Sequence, residues 1–503
     1  MQPRLYSHFI SNRETKGSSK GIIVRRSPAD GEPVAEYAEG TVEDAQAAIL
    51  AARKAFDEGP WPYLSGIERG QLLLALAARL REEKERFAQI EATEVGKPIK
   101  FARGDIEGAI MLTTYAAGLA AQAHGESFSN LGVQKHGFIL REPVGVAGLI
   151  VPWNFPTLIL SQKLPFALAA GCTVVVKPSE LTSGTALELG RLAVEVGIPE
   201  GVINIITGYG NPVGEAMVKS PLVDFVSFTG STAVGRKVIQ NSAETIKRVS
   251  VELGGKAANI VFADADIPDA VDGALFGIFF NNGECCCSAT RLLVHEEIAA
   301  DFESALAEAA SSLKLDSPLK DDTDVGALIH EGHLNKVLGY IESGKREGGK
   351  LLVGGGRETA GAFSEGLFVQ PTIFSGVRPD MEIFRQEIFG PVLSVSRFRT
   401  TEEAIQLAND TEYGLANALW TKNLDNALTT SRALRSGTVW VNTMIDGSPQ
   451  LPFGGYKASG FGREMGSIGL EEFTQLKTVL FHTGKRTPAF LKDETSSDTV
   501  SSH

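Results

Sequence analysis

From Val144 onward the chain alternates short apolar runs with segments of helical pattern, and this rhythm restricts its fold more than any other feature. The runs VGVAGLIVP, CTVVVKP, VINIITG and VDFVSFTG are separated by LILSQKLPFALAAG, SGTALELGRLAVEVG and PVGEAMVKS. Strands buried on both faces read as near-continuous apolar runs, and parallel neighbours need a crossover between them. The pattern therefore predicts βαβ units around a parallel sheet, the way nucleotide-binding folds are built. A second α/β series follows Gly254, through ANIVF, ATRLLVHE, GLFVQPTIF, GPVLSVSRF, ANALWT and GTVWVN, and predicts a domain of its own. With 503 residues the chain has room for two or three such units.

Between residue 40 and that sheet the pattern is helical. Thr41 with Asp44 and Ser65 with Glu68 are capping-box signatures. They precede AQAAILAARKAF, closed by Gly59-Pro60, and RGQLLLALAARLREEKERF, which reads as one amphipathic helix. Two β-rich pieces far apart, QKHGFILREPVG and EFTQLKTVLF, read as edge strands serving assembly. The polar tail GKRTPAFLKDETSSDTVSSH is expected to be frayed. No internal repeat is present.

An apolar content of 43% with 22% charged residues is ordinary globular composition, without a run long enough for a membrane span. The N-terminal MQPRLYSHFISNRETKGSSKG has no apolar signal core, so a soluble, cytoplasmic protein is expected. The 61 acidic and 48 basic side chains give a formal charge of −13, without a basic patch, which opposes binding to nucleic acid or an anionic membrane.

Three of the four cysteines are consecutive, in NNGECCCSAT at residues 281–290. Neighbouring side chains in a strand or helix point apart and adjacent residues bridge poorly, so no disulfide framework is expected. The C-x2-C spacing of a zinc site is missing and the eight histidines are scattered, so no metal is expected. Packing remains for some of the trio, and a nucleophile for one.

Other motifs add chemistry. In VSFTGSTAVGRKV, Gly230 and Ser231 sit between a strand and a helix, where free N–H groups and the helix dipole bind phosphate. The G-x-x-x-x-G spacing of Gly230 and Gly235 is neither the dinucleotide fingerprint nor a P-loop, and an ordinary βα turn would read the same. Lys177 and Glu180 in VVVKPSE follow a strand's carboxyl end, where open α/β sheets bind ligands. Asn154 in VPWNFPT is held between aromatics and prolines, as an oxyanion donor or a turn asparagine would be. Glu252 lies in an otherwise apolar strand, where burial would raise its pKa toward that of a general base.

The ordered series PWNFP, KPSE, FTGSTAVG, ELGGK, NNGECCCSATR, EIFGPV and PFGGYKASGFGRE resembles the NAD(P)-dependent aldehyde dehydrogenase superfamily, from about residue 20 to about residue 482. The resemblance implies an α/β fold with a Rossmann-type cofactor domain (1–124 and 144–253), an α/β catalytic domain (254–465), a β bridging element (125–143 and 466–484) and a flexible tail (485–503). It implies oxidation of an aldehyde to the acid with NAD, or NADP, through a cysteine thioester, in a homodimer or homotetramer. By motif, Cys286 is the nucleophile, Asn154 and the Cys286 N–H form the oxyanion hole, and Glu252 activates water. Lys163 and Glu464 match the water and proton path. Trp153, Lys177, Ser179, Glu180, Gly230, Ser231, Leu253, Glu387 and Phe389 match cofactor positions. The substrate pocket is expected from Phe155, Ile159, Gln162, Cys285, Cys287 and Phe453.

Two residues depart from the commoner family pattern. Glu284 stands where many members have Gln, and is expected to point outward into solvent. Gln162 stands where a bulky aromatic or an Arg is frequent, which implies a polar, uncharged substrate tail. A carboxylate at Glu180 would repel a 2′-phosphate and favour NAD. The alternatives are a CoA-acylating aldehyde dehydrogenase, disfavoured by Glu252, and a non-catalytic nucleotide-binding relative, disfavoured by the joint presence of Cys286, Asn154 and Glu252.

Overall fold

A computed structural model describes residues 3–486 and 489–490, so most of the expected tail, 485–503, lies outside the described residues. Two large sheets organise the chain. The first has eight strands in the spatial order Gly460–Phe461, Arg248–Glu252, Phe225–Thr229, Val146–Ile150, Thr173–Lys177, Ile203–Ile205, His8–Ile10, Arg13–Thr15. Its five central strands are parallel, as their apolar runs require, and the added strands at both edges are antiparallel. The second has seven strands, of which Thr372–Ser375, Val392–Phe398, Arg291–His295, Ala258–Val261, Ala416–Trp420 and, at the edge, Thr438–Val441 run parallel in that spatial order, and Lys350–Val353 at the other edge is antiparallel. Every strand expected after Gly254 lies in or beside this sheet.

Helix Pro156–Ala170 joins the layers. It is buried almost all round, consistent with a central position, and Leu160, Leu164, Phe166 and Leu168 are sealed from solvent. Burying each such side chain contributes about 1.5–3 kcal/mol. The same helix carries Ile159, Gln162 and Lys163 toward the site described below.

Both capping boxes form. Thr41 starts helix Val42–Asp57 and Ser65 starts helix Gly66–Glu82. The single helix expected through residue 87 is instead two, because the chain turns at Glu83 before Lys84–Val95. That turn leaves Leu80 and Phe87 both fully buried. The far-apart β pieces pair with each other, and only one of them is the edge strand expected of both. Lys135–Pro143 runs antiparallel to Thr474–His482 on one side and Glu126–Phe128 on the other, so it is a central strand, and Thr474–His482 is an edge. Among the described residues no helix is long and apolar enough to cross a membrane.

Candidate active site

The order of the first sheet creates a crevice. From Val146–Ile150 the chain builds outward to one side, through Thr173–Lys177 and Ile203–Ile205, and then returns to build the other side with Phe225–Thr229 and Arg248–Glu252. Loops leaving the carboxyl ends of the two strands at such a reversal part in opposite directions and open a ligand site. Here those loops are Pro152–Asn154 and Thr229–Ser231, and they line a cavity of about 180 Å³ with Leu253, Glu387 and Phe389.

The walls of this cavity are set by close contacts. Ser231 caps helix Thr232–Ser242 by accepting from the Val234 N–H at 3.4 Å, and the neighbouring first-turn donors are left for an anion. Gly235 admits Leu253, since a Cβ there would lie 2.4 Å from Leu253 Cδ2. Trp153 meets Phe389 edge to face at 5.4 Å, and Phe389 itself holds a left-handed φ of 63°. His333 Nε2 donates to the Phe389 carbonyl at 2.7 Å, and burial lowers the His333 pKa to about 4. Glu387 accepts from the Gly255 N–H at 2.9 Å. Lys177, buried with its pKa lowered by desolvation, donates to the Pro178 carbonyl and stands 3.7 Å from Glu180. Ser179 accepts from the Leu181 N–H at the start of the next segment. These last three lie at the end of Thr173–Lys177, two strands from Phe225–Thr229.

The segment carrying the cysteines is shaped by its asparagines. Asn281, Asn282 and Gly283 take successive positive φ values of 52°, 60° and 73°, a conformation asparagine and glycine tolerate best. Asn282 is anchored by Gly326, Gly96 and Ala327, and Asn281 donates to the carbonyls of Asn154 and Glu284. Gly255 gives the turn room, because a Cβ there would sit 2.3 Å from the Cys286 carbonyl oxygen.

This turn corrects the expectation that the three cysteines diverge. They lie in neither strand nor helix, and their sulfurs fall within 4.8 Å of one another, with Cys285 and Cys287 at 3.3 Å. Cys286 is half-buried while its neighbours are buried. Hydrogen bonding to Cys285 and Cys287, reinforced by burial, holds the Cys286 thiol above its ordinary range.

Glu284 is the second correction. It is fully buried rather than solvated, with Oε1 accepting from the Ile329 N–H at 2.9 Å and Oε2 without a hydrogen-bond partner among the described residues. The loop at Ile329 receives it, and burial pushes its carboxyl well above the usual range.

Asn154 is buried and donates through Nδ2 to the Glu284 carbonyl at 3.0 Å, which fixes the amide beside the cysteine turn. Glu252 ends its strand buried, with neither carboxylate oxygen hydrogen-bonded among the described residues. Burial first, and the Glu464 carboxylate second, raise its pKa well above the ordinary value. Glu464 is itself paired with Lys163, which also donates to Ser227 Oγ at 2.9 Å.

A second cavity, of about 320 Å³, leads to the cysteines from the other side. All six expected pocket residues line it: Phe155, Ile159, Gln162, Cys285, Cys287 and Phe453. Glu252 and Glu464 line it too, and four side chains, Ile159, Thr229, Leu253 and Cys286, border both cavities. The sequence reading missed Phe280, Trp440 and Asp446 in this cavity and His333 and Lys336 in the first. Of these only Phe280, beside the NNGECCC motif, had a local signal.

Residues 15–479 match the family model described as "Aldehyde dehydrogenase family". The chain is 44% identical to a betaine aldehyde dehydrogenase of Bacillus subtilis over 475 residues, 94% of this chain and 97% of that protein. It is 42% identical to an aldehyde dehydrogenase of Emericella nidulans over 477 residues, covering 95% of each. Among solved structures it is similar to an NAD-dependent aldehyde dehydrogenase from Sinorhizobium meliloti, with a TM-score of 0.95, 47% identity and 97% and 96% of the two chains covered. A betaine aldehyde dehydrogenase from Staphylococcus aureus in complex with NAD+ matches with a TM-score of 0.95 and 39% identity over 97% of each chain.

Proposed function

The chain belongs to the aldehyde dehydrogenase family, its activity is the NAD-dependent oxidation of an aldehyde, and we propose that Cys286, Asn154 and Glu252 carry that reaction. One observation carries the reading: Cys286 stands at the junction of two cavities, one bearing Glu252 and the other Asn154, Glu387 and Phe389.

The residues present suit the dinucleotide. The crevice at the strand reversal offers uncapped N–H donors at Thr232–Ser242 for a pyrophosphate and apolar walls from Trp153, Leu253 and Phe389 for a flat ring. Lys177, Ser179 and Glu180 would hold the adenosine ribose, where the Glu180 carboxylate accepts from hydroxyls and disfavours a 2′-phosphate. Glu387 would hold the other ribose. The nicotinamide, when bound, supplies the hydride acceptor.

The protein's own groups do the rest. The Cys286 sulfur adds to the aldehyde carbon, and the oxyanion that develops accepts from the Asn154 amide and the Cys286 N–H. Glu252, whose pKa burial raises, accepts a proton from water in its ionised form, and that water hydrolyses the Cys286 thioester to release the acid. The Lys163–Glu464 pair fixes a carboxylate that acts on Glu252 and lends a route for that proton. Cys286→Ala should abolish both aldehyde oxidation and ester hydrolysis, whereas Glu252→Gln should slow deacylation alone. Retained aldehyde turnover in Cys286→Ala would contradict the assignment.

For the substrate we propose an aldehyde with a polar, uncharged tail contacting Gln162. Apart from that side chain the cavity is largely apolar, lined by Phe155, Phe280, Trp440 and Phe453. A cationic tail is the second reading, favoured by the Asp446 carboxylate in a lining without Lys, Arg or His. Aldehydes with hydroxyl, trimethylammonium, alkyl and carboxylate tails separate these readings by kcat/KM. Highest values with carboxylate tails would overturn both.

The free edge of Thr474–His482, with Leu476, Leu480 and Phe481 exposed, supports assembly into a homodimer or homotetramer. Four free thiols among the described residues accord with a cytoplasmic setting.

A further inference from the structure

We propose that Cys285, Cys286 and Cys287 together form a three-sulfur site for trivalent arsenic, so that arsenite inactivates the enzyme by chelation rather than through a single thiol. The turn at residues 285–288 gathers the sulfurs within 4.8 Å of one another, the closest pair at 3.3 Å, and all three residues line the aldehyde cavity. A central atom with bonds to sulfur of about 2.3 Å, the length seen at zinc, holds its sulfurs at most about 4.6 Å apart, so small side-chain rotations bring the trio onto one atom. Cys286 is half-buried and opens onto both cavities, which gives a small neutral reagent two ways in.

Charge decides which thiophilic centre the site takes. Three thiolates around a divalent ion leave a net negative charge, in a cavity that already holds Glu252, Asp446 and Glu464 and no basic side chain. Trivalent arsenic forms a neutral product. Arsenous acid exchanges its three hydroxyls for three sulfurs: three As–O and three S–H bonds break, three As–S bonds form, and three waters leave. Arsenic stays in the trivalent state, so no oxidant or reductant is needed. Cys172 is a built-in control, since it lies fully buried against the Phe473 carbonyl and lines neither cavity.

The test uses the purified full chain with sodium arsenite. Native mass spectrometry should show one arsenic per chain, with a gain of one arsenic less three hydrogens, and X-ray absorption should show three sulfur neighbours. Cys285→Ser and Cys287→Ser should each weaken inactivation at least tenfold, measured against each variant's own untreated rate, and zinc chloride should bind more weakly than arsenite. One or two sulfur neighbours, unchanged sensitivity in both variants, or tighter binding of zinc would each overturn the proposal. If a variant fails to fold, the sulfur count of the unmodified chain decides alone. Binding is read by mass rather than turnover, so a chain that takes arsenic yet oxidises aldehydes without Cys286 refutes the catalytic assignment and leaves this one standing.

Discussion

Asn154→Ala separates an oxyanion donor from a structural asparagine. The Asn154 amide donates one N–H to the Glu284 carbonyl at 3.0 Å, and that carbonyl also accepts from Asn281 at 3.0 Å. Removing Asn154 therefore leaves the Glu284 carbonyl satisfied. The loss in stability should be that of one ordinary hydrogen bond, about 0.5–1.5 kcal/mol. In the transition state the same substitution removes one of two oxyanion donors, which costs about 2.7–4 kcal/mol, or about 10²–10³ in kcat. Because the donor acts on charge that is absent from the bound aldehyde, KM should move little. The assay is the single-turnover rate of NADH formation at saturating aldehyde, beside a thermal unfolding curve. A fall in rate of less than tenfold, or an effect confined to KM, would refute the reasoning.

Three further outcomes follow from buried charge. Glu284→Gln should raise Tm, and the gain should grow with pH. The folded pKa of Glu284 is raised, so its contribution to stability is whole below the unfolded value of about 4.3 and declines as pH climbs toward the folded one; equal gains at pH about 4 and about 8 would contradict this. Lys163→Met should lose about 3–5 kcal/mol, because it strands the buried Glu464 carboxylate, and Lys163→Met with Glu464→Met should recover much of it; a denaturant midpoint no higher in the double variant would count against the pair. The rate should also rise with pH above neutrality, because Cys286 and Glu252 both have raised pKa values and their reactive ionised forms accumulate as pH increases. A profile that is flat or falls from pH about 7 to about 9 would be inconsistent with both groups acting ionised.

How far the site could be read from sequence depends on where each partner comes from. Asn154, Glu252 and Cys286 stand out because each lies in a short motif whose neighbours are chosen for backbone shape, such as the two asparagines ahead of Gly283. The parallel strands were legible because burial on both faces leaves continuous apolar runs such as TVVVK. Glu284 was misread because the group that receives it, the Ile329 N–H, is 45 residues away. His333 and Lys336 reach the first cavity from helix Glu331–Arg346, which carries no motif of its own, and Trp440 reaches the second from the strand Thr438–Val441, whose apolar run marks a strand and no cavity. The strands Arg4–Tyr6, His8–Ile10 and Arg13–Thr15 are too short to show a period, and they form by pairing with strands contributed from elsewhere or from their immediate neighbour. The cysteine trio was misread for a different reason: alternation of side chains holds only inside regular structure, and these residues sit in a turn.

The central claim is that the acid is released from a thioester on Cys286 by water that Glu252 activates. The most direct measurement mixes Glu252→Gln with NAD and an aldehyde, quenches with acid, and maps the mass of the Cys286 peptide. The account predicts an acyl group on Cys286, accompanied by a burst of about one NADH per chain and slow turnover thereafter. Steady turnover at the unmodified rate, or a burst with no acyl group on that peptide, would contradict it.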